Sequence, residues 1–315
     1  MRWIPGCLSE LYRQDYQNFE VIIVDNGSTD GSVEYLVEHY PDIKLITLDR
    51  NYGFARAVNI GIECSRAEYI ALLNNDTAPR SNWLGKLVEA LDTQPTYIVS
   101  TASKMLKMAD PRLIDDAGDT LSWQGAAYKR GHGKPADRFT DEELVFSACA
   151  GAALYRRRLL QEIGGFDEYF FAYLEDVDLG LRAQLRGYRC LFVPTAEVLH
   201  FGHGSRIPGG RYVRLMTRNR LILLFKNIPM PLLWRKLGKI IYGQLYFFVV
   251  YRKPLHSFLG YTDFLAALPH ILRCRRRNMQ YNTLSIQDIA TLLRDTMEEP
   301  PLSRLIWNRL GRLVR

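Results

Sequence analysis

Two rhythms of apolar and polar residues alternate through the first hundred positions. Short β-branched runs, "FEVIIVD" (19–25), "IKLITLD" (43–49) and "YIALLNN" (69–75), read as strands. Between and after them "GSVEYLVEHY" (31–40), "YGFARAVNIGIECS" (52–65) and "NWLGKLVEALDT" (82–93) carry apolar residues at helical spacing. Strands alternating with helices through short polar connections predict βαβ units and a mostly parallel sheet. From about Tyr97 the pattern loosens, and "DDAGDTLSWQGAAYKRGHGKP" (115–135) has the composition of an irregular binding surface. Order returns with a small-residue strand in "FSACAGAALYRR", a helix near "RRLLQEIG", a second helix after "GGFDEYFFAY" and the strand "CLFVPTAEVLHF". Beyond Gly204 basic amphipathic helices take over.

Four places along this pattern carry candidate chemistry. Asp25 ends the strand of "VIIVDNGSTDGS", where a carboxylate can accept hydrogen bonds from a nucleobase or ribose. Taken alone, it equally shapes a turn, and no phosphate-binding GxxxxGK[ST] loop is present. Asn74, Asn75 and Asp76 end the next apolar run, and Pro79 stops its continuation. Ligands bind at that edge of open α/β sheets, and a divalent ion held by one carboxylate plus a diphosphate fits such a set. A polar turn accounts for the same residues.

The helix of "LEDVDLGLRAQLRGY" buries Leu174, Val177, Leu181 and Leu185 and stops at Gly187. Glu175, Asp176 and Asp178 crowd its first turn. Each complements the helix dipole by about 0.3–1 kcal/mol. Three carboxylates exceed what a cap needs, and their repulsion raises at least one pKa toward that of a general base. His200, with His203 just beyond, ends the last strand; it is either a hydrogen-bonded structural residue or a second metal ligand beside Asp76.

Composition narrows the class. The 315 residues are 47% hydrophobic and 24% charged, an ordinary globular balance. The net charge of +7 is unevenly spread. Residues 201–315 carry 20 Lys and Arg against 5 Asp and Glu, whereas residues 1–200 carry 21 against 29. Basic residues interleaved with apolar runs point to an anionic membrane surface, not nucleic acid, as the partner of the second part. The apolar runs are too broken by charge to span a bilayer. Five scattered cysteines support neither a zinc site nor a disulfide framework and fit a reducing, cytosolic setting.

In sequence order, "VDNGSTDGS", "NYGFARAVNIGI", "LLNNDT", "GAALYRR", "GGFDEYFFAYLEDVDLGLRAQLRGY" and "VLHFGHGS" resemble the family 2 glycosyltransferases. The likeness covers roughly residues 5 to 225 and is closest to the rhamnosyltransferase-like branch of bacterial cell-surface polysaccharide synthesis. It implies a nucleotide-diphosphate-binding α/β fold of GT-A type over residues 1–205, with residues 206–315 as a basic helical region. It also implies inverting transfer of a sugar, rhamnose being the family's commonest suggestion, from a nucleotide-diphosphate donor to a glycan or lipid-linked acceptor. Mg²⁺ or Mn²⁺ would assist, and the enzyme would be cytoplasmic, peripheral at the inner face of the cell membrane. On this likeness Asp176 is the base with Glu175 and Asp178 as neighbours, and Asp76 and His200 are metal ligands. Asp25, Asn51, Gly53, Asn59, Asn74 and Asn75 line the donor site. Asn74 stands where the family has the first aspartate of its metal-binding DxD. The family also has a strand ahead of the segment with which this chain starts; its absence makes a non-catalytic sugar-nucleotide-binding relic the alternative.

Overall fold

The computed structural model describes residues 1–202 and 207–304, so His203 lies outside the described residues. The chain divides into two compact units. The first holds Met1–Thr120, Tyr128–Ile207 and Gln280–Leu284; the second holds Leu121–Ala127, Pro208–Met279 and the described residues from Ser285.

The first unit begins with α1 (Ile4–Leu11), β1 (Ile22–Asp25), α2 (Ser32–His39), β2 (Lys44–Thr47), α3 (Phe54–Cys64) and β3 (Tyr69–Leu73). Next come β4 (Thr77–Pro79), α4 (Trp83–Thr93), β5 (Ile98–Lys107) and β6 (Asp110–Asp116). The hairpin β7 (Asp119–Leu121) and β8 (Ala127–Lys129) follows, then β9 (Glu143–Val145) and β10 (Ala152–Arg156). It closes with α5 (Arg157–Ile163), α6 (Glu175–Leu185) and β11 (Arg189–His200).

The helix–strand alternation read from the sequence is an α/β fold with a mixed sheet. β1 and β2 pair in parallel as a βαβ unit. The seven-stranded sheet runs β3-β10-β5-β11-β4, with β6 beside β5 and β9 beside β11. In it β5 and β11 are parallel. β10 lies between β3 and β5 and runs antiparallel to both. Pro79 does not end the strand region. After a short break the chain resumes as β4, where Pro79 sits on the edge strand and its missing N–H leaves no ladder bond unmade.

The stretch from Tyr97, which has no clear period, contains the ten-residue strand β5. Its signal is hidden because the strand is buried on both faces and includes Ser100, Thr101, Ser103 and Lys104. Side chains on the central strands alternate between two cores. Val99, Ala102, Ala153, Tyr155 and Phe192 meet residues of α3, α5 and α6. Ile98, Met105, Leu154, Leu191 and Val193 meet the α4 stripe of Trp83, Leu84, Leu87, Val88 and Leu91. A smaller core joins Ile4 and Leu8 of α1 to Leu36, with Ile23 and Leu45 of the two-stranded sheet packed against it.

The second unit is helical: α7 (Gly209–Asn227), α8 (Met230–Arg235), α9 (Leu237–Tyr251), α10 (Pro254–Ala266), α11 (Leu268–Gln280) and α12 (Ile286–Leu292). Among the described residues no helix is long and apolar enough to cross a membrane.

Phe192 is fully buried in the first of the two large cores. Truncating an aromatic side chain there loses its contacts and leaves a cavity, so Phe192→Ala should cost about 3–5 kcal/mol of stability. Urea denaturation of both proteins at one pH measures the difference.

Candidate active site

Strand register builds the first part of the site. In the β4–β11 pairing Thr77 stands opposite His200, which sets Asp76 next to that histidine. Phe201 N–H donates to the Asp76 carbonyl at 3.0 Å, and His200 Nε2 lies 3.5 Å from Asp76 Oδ2. Both side chains are buried to nine-tenths or more. Ligand atoms around one Mg²⁺ or Mn²⁺ ion lie about 3 Å apart, so this carboxylate–imidazole pair fits a single hard divalent cation with positions left for a diphosphate.

The other side of His200 faces a residue that the sequence did not single out. Its Nδ1–H donates to Asp115 Oδ2 at 2.7 Å, and the same oxygen accepts from Lys129 Nζ at 2.7 Å. A hydrogen bond from Nδ1 to a carboxylate fixes the ring so that Nε2 points at Asp76. Asp115 and Lys129 both come from the segment read only as an irregular binding surface. Nothing local marks them, because their partner is 85 residues away from Asp115. Burial pulls the His200 pKa down, but the hydrogen bonds to Asp115 and Asp76 outweigh it and push the value up to about 9. Burial pushes Asp115 up, yet His200 and Lys129 reverse this and hold its carboxyl well below the usual range.

The α6 acids separate into three environments. Asp178 is fully buried and accepts from Arg182 Nε at 2.8 Å, while Arg182 also donates to the Ile163 and Gly165 carbonyls. That carboxylate ties α6 to the end of α5 and is positioned for structure, not for proton transfer. Glu175 is buried, one of its oxygens has no hydrogen-bond partner, and burial with the neighbouring Asp176 raises its pKa well above the usual range. Asp176 alone of the three is half-exposed. Its Oδ2 accepts from Ala150 N–H at 3.1 Å and its Oδ1 from Val177 N–H at 2.8 Å. Burial raises its pKa, partly offset by these backbone bonds.

One short loop joins the two halves. Ala150 N–H holds Asp176, and the Gly151 carbonyl accepts from Asn74 N–H at 2.8 Å. Asn74, Asn75, Asp76, His200 and Asp176 are therefore linked through adjacent backbone groups. Asp116 and Asp119 are buried near this loop. Burial raises both, Asp116 to about 7, and Ser147 Oγ donates to Asp119 at 2.7 Å.

Asp25 closes its turn by accepting from Ser28 N–H at 3.0 Å. The turn after it meets the loop of Asn51 and Gly53 through Asn26, whose side-chain oxygen accepts from Tyr52 N–H at 2.8 Å and whose amide donates to the Gly53 carbonyl. Asn51 Oδ1 accepts from Gly53 N–H. Asn59 is committed elsewhere: it donates to the Phe166 carbonyl at 2.8 Å and accepts from Phe166 N–H at 2.9 Å. These bonds staple the loop before α6. Gly53 has φ +92°, and a Cβ there would lie 2.5 Å from the Phe171 carbonyl oxygen. That approach bears on the strained segment entering α6, where Phe171, Tyr173 and Leu174 all have positive φ. Such strain costs of order 1–3 kcal/mol per residue and clusters at functional sites.

Residues 2–164, just over half the chain, match the family described as Glycosyl transferase family 2. An N-acetylglucosaminyl-diphospho-decaprenol L-rhamnosyltransferase of Mycobacterium tuberculosis is 28% identical over 57% of this chain and 66% of its own length. The chain thus spans less than two thirds of that relative. Among solved structures, GalNAc-T7 with UDP, GalNAc and Mn²⁺ matches with a TM-score of 0.53 at 16% identity, over 70% of this chain and 47% of that one. The mannosyltransferase PcManGT of Pyrobaculum calidifontis, with GDP-Man and Mn²⁺, matches with a TM-score of 0.50 at 18% identity, over 92% and 81%. At such identities the likeness shows the fold, which is of GT-A type.

The raised histidine makes stability depend on pH in a definite direction. A folded-state pKa near 9 against an ordinary 6.5 gives stabilisation that is complete below pH 6.5 and is lost as pH rises through 9. The metal-free protein should therefore lose up to about 3 kcal/mol between these values. His200→Gln should remove this part of the slope in urea titrations at pH 6 and 9.5.

Proposed function

The chain belongs to glycosyl transferase family 2, and on that premise we propose that it moves a sugar from a nucleotide-diphosphate donor to a hydroxyl of a glycan or lipid-linked acceptor. The observation that carries the reading is the linkage of the Asp76–His200 pair to Asp176 through Ala150 and Gly151. Nucleophile activation and leaving-group stabilisation have to act on opposite sides of one carbon, and this loop couples the groups suited to each.

Asp176 acts as the base. Its half-exposed carboxylate takes the proton of the acceptor hydroxyl, and the oxygen attacks the anomeric carbon as the bond to the diphosphate breaks. The electron pair leaves on the diphosphate oxygen, and a single displacement inverts the anomeric centre. Backbone N–H bonds at both carboxylate oxygens aim the group and partly offset the upward effect of burial on its pKa. Asp76 Oδ2 and His200 Nε2 would hold Mg²⁺ or Mn²⁺, which when bound supplies positive charge against the departing diphosphate. Asp115 keeps Nε2 turned to that position. Asp25 and the Asn51–Gly53 loop receive the nucleoside end of the donor, with Asn74 and Asn75 toward the diphosphate. The mycobacterial relative makes rhamnose the first sugar to test and a polyprenyl-diphosphate glycan of cell-wall polysaccharide synthesis the first acceptor class. With such an acceptor the proposed enzyme works in the cytoplasm, peripheral at the inner face of the cell membrane.

Asp176→Asn should lower turnover by about 10²–10⁴-fold with donor affinity little changed. Single-turnover assays with a panel of nucleotide sugars, alongside donor calorimetry, separate the two quantities; retention of more than about a tenth of the rate would remove Asp176 from this role. NMR of the product's anomeric proton reads the stereochemistry.

Asp76→Ala should weaken donor binding only when Mn²⁺ is present. Asp115→Asn should lower affinity for Mn²⁺ alone by about 10–100-fold. Electron paramagnetic resonance titration of free Mn²⁺ measures the second effect without any turnover, and equal affinities in wild type and Asp115→Asn would overturn the positioning role.

A further inference from the structure

The basic helical unit does not present its apolar residues as the sequence pattern implied. The run "LILLF" turns inward: Leu221, Ile222, Leu223 and Leu224 are all buried. Arg220 is buried with it, its guanidinium 3.5 Å from the Phe247 ring centre, and Lys226 is buried too. Arg275 donates to the Phe225 carbonyl at 2.6 Å. α7 is therefore the core of this unit and has no face for a membrane.

The exposed apolar surface lies on other helices. α9 packs inward through Gly243, Tyr246 and Phe247, and α10 through Ser257 and Gly260. A Cβ at Gly260 would sit 2.7 Å from the Arg214 carbonyl oxygen, so α10 lies directly on α7. The opposite stripes are uncovered: Ile241, Leu245 and Phe248 on α9, and Leu255, Phe258 and Leu265 on α10. These are large side chains with high exposure, 57% for Leu245, 65% for Leu255 and 61% for Phe258. They recur at i, i+4, i+7 and i, i+3, i+10, the spacing of one helical face. Among the described residues, eleven of the twenty exposed large hydrophobic residues fall between Trp234 and Leu272, a concentration that soluble surfaces rarely carry without a partner.

Charge says which partner. From Met230 to Gln280 there are nine Lys and Arg and a single acid, Asp263, which is itself paired with Arg214. Arg252 and Lys253 stand exposed at the turn between the two apolar stripes, and Arg273, Arg276 and Arg277 are exposed on α11. A large apolar stripe edged by cations matches the interfacial layer of an anionic bilayer, where the side chains enter the acyl boundary and the cations meet headgroups.

We propose that the outward face of α9 and α10 is a membrane-insertion surface, seated in an anionic leaflet by Ile241, Leu245, Phe248, Leu255, Phe258 and Leu265. This rests on the peripheral-membrane reading above and deepens it by assigning the face. Insertion differs from simple charge attraction in its response to salt, because screening weakens the ionic part and leaves the apolar part.

The test is co-sedimentation of the full chain with vesicles of phosphatidylglycerol and phosphatidylcholine, and with phosphatidylcholine alone. The expected result is binding to the anionic vesicles that partly survives 0.5 M NaCl (about a 4 Å screening length). The Leu245→Glu/Phe258→Glu double variant should bind at least about tenfold more weakly. Val37→Glu, at an exposed site in the first unit, should bind like wild type. Because the substituted residues are exposed, circular dichroism and thermal midpoints should be unchanged, and a misfolded double variant is replaced by Leu245→Gln. Wild type that binds neither vesicle overturns the peripheral reading itself. Wild-type binding that the variants leave intact overturns the face assignment alone. A wild-type dimer that the variants dissociate, with vesicle binding unaltered, shows that a second copy covers this face instead.

Discussion

The parallel pairing of β5 with β11 is the constraint on which the first unit depends. Because the two strands run the same way, Lys107 and His200 end at the same edge, paired with one another. β6 turns back from that edge and delivers Asp115 to His200, while β4 pairs on the other side of β11 and delivers Asp76. One histidine thus receives a carboxylate at each nitrogen, from two strands that share no sequence proximity. The pairing is secured by burial: nine of the ten β5 residues are buried, and alternate side chains of both strands fill separate cores.

Electrostatics around this edge follow from how little solvent reaches it. Asp116, Asp119, Glu175 and Asp176 all have raised pKa values with burial as the leading cause. Lys129 faces the same group; burial opposes its charge, but the neighbouring Asp116 and Asp115, the latter through a hydrogen bond as well, outweigh that and raise its pKa. Local partners then decide what each carboxylate can do. Arg182 occupies Asp178, Ser147 bonds Asp119, and backbone N–H groups hold Asp176 with its carboxylate still half-open. Of these three carboxylates, only that of Asp176 belongs to a residue that is not fully buried.

The approach to that carboxylate is held under strain. Gly53 allows the Phe171 carbonyl to come close, Asn59 staples Phe166, and three non-glycine residues between 171 and 174 keep positive φ. Residues that the family likeness assigns to the donor pocket therefore also hold the helix that carries the proposed base. A substitution at Gly53 or Asn59 would disturb the segment entering α6 through the backbone.

Local periodicity by itself determined that this is an α/β chain with a basic helical second part, and it located the α-helices α2 to α6 of the first unit. It also located the acidic turn at 175–178 and the polar strand end at 74–76. Those features are one-dimensional: side-chain spacing and turn chemistry report them without reference to distant residues. The strand β5 escaped because burial on both faces erases alternation, and the antiparallel insertion of β10 left no local trace. Asp115 was illegible for the same reason, since its role exists only once the β6 turn brings it to a histidine 85 residues on. Tertiary structure also chose among residues of like chemistry. It closed Asp178 with Arg182 and left Asp176 open, and it buried "LILLF" while exposing the stripes of α9 and α10. Composition cannot make such choices, because which face of a helix meets solvent is fixed by its neighbours in space and not by its neighbours in the chain.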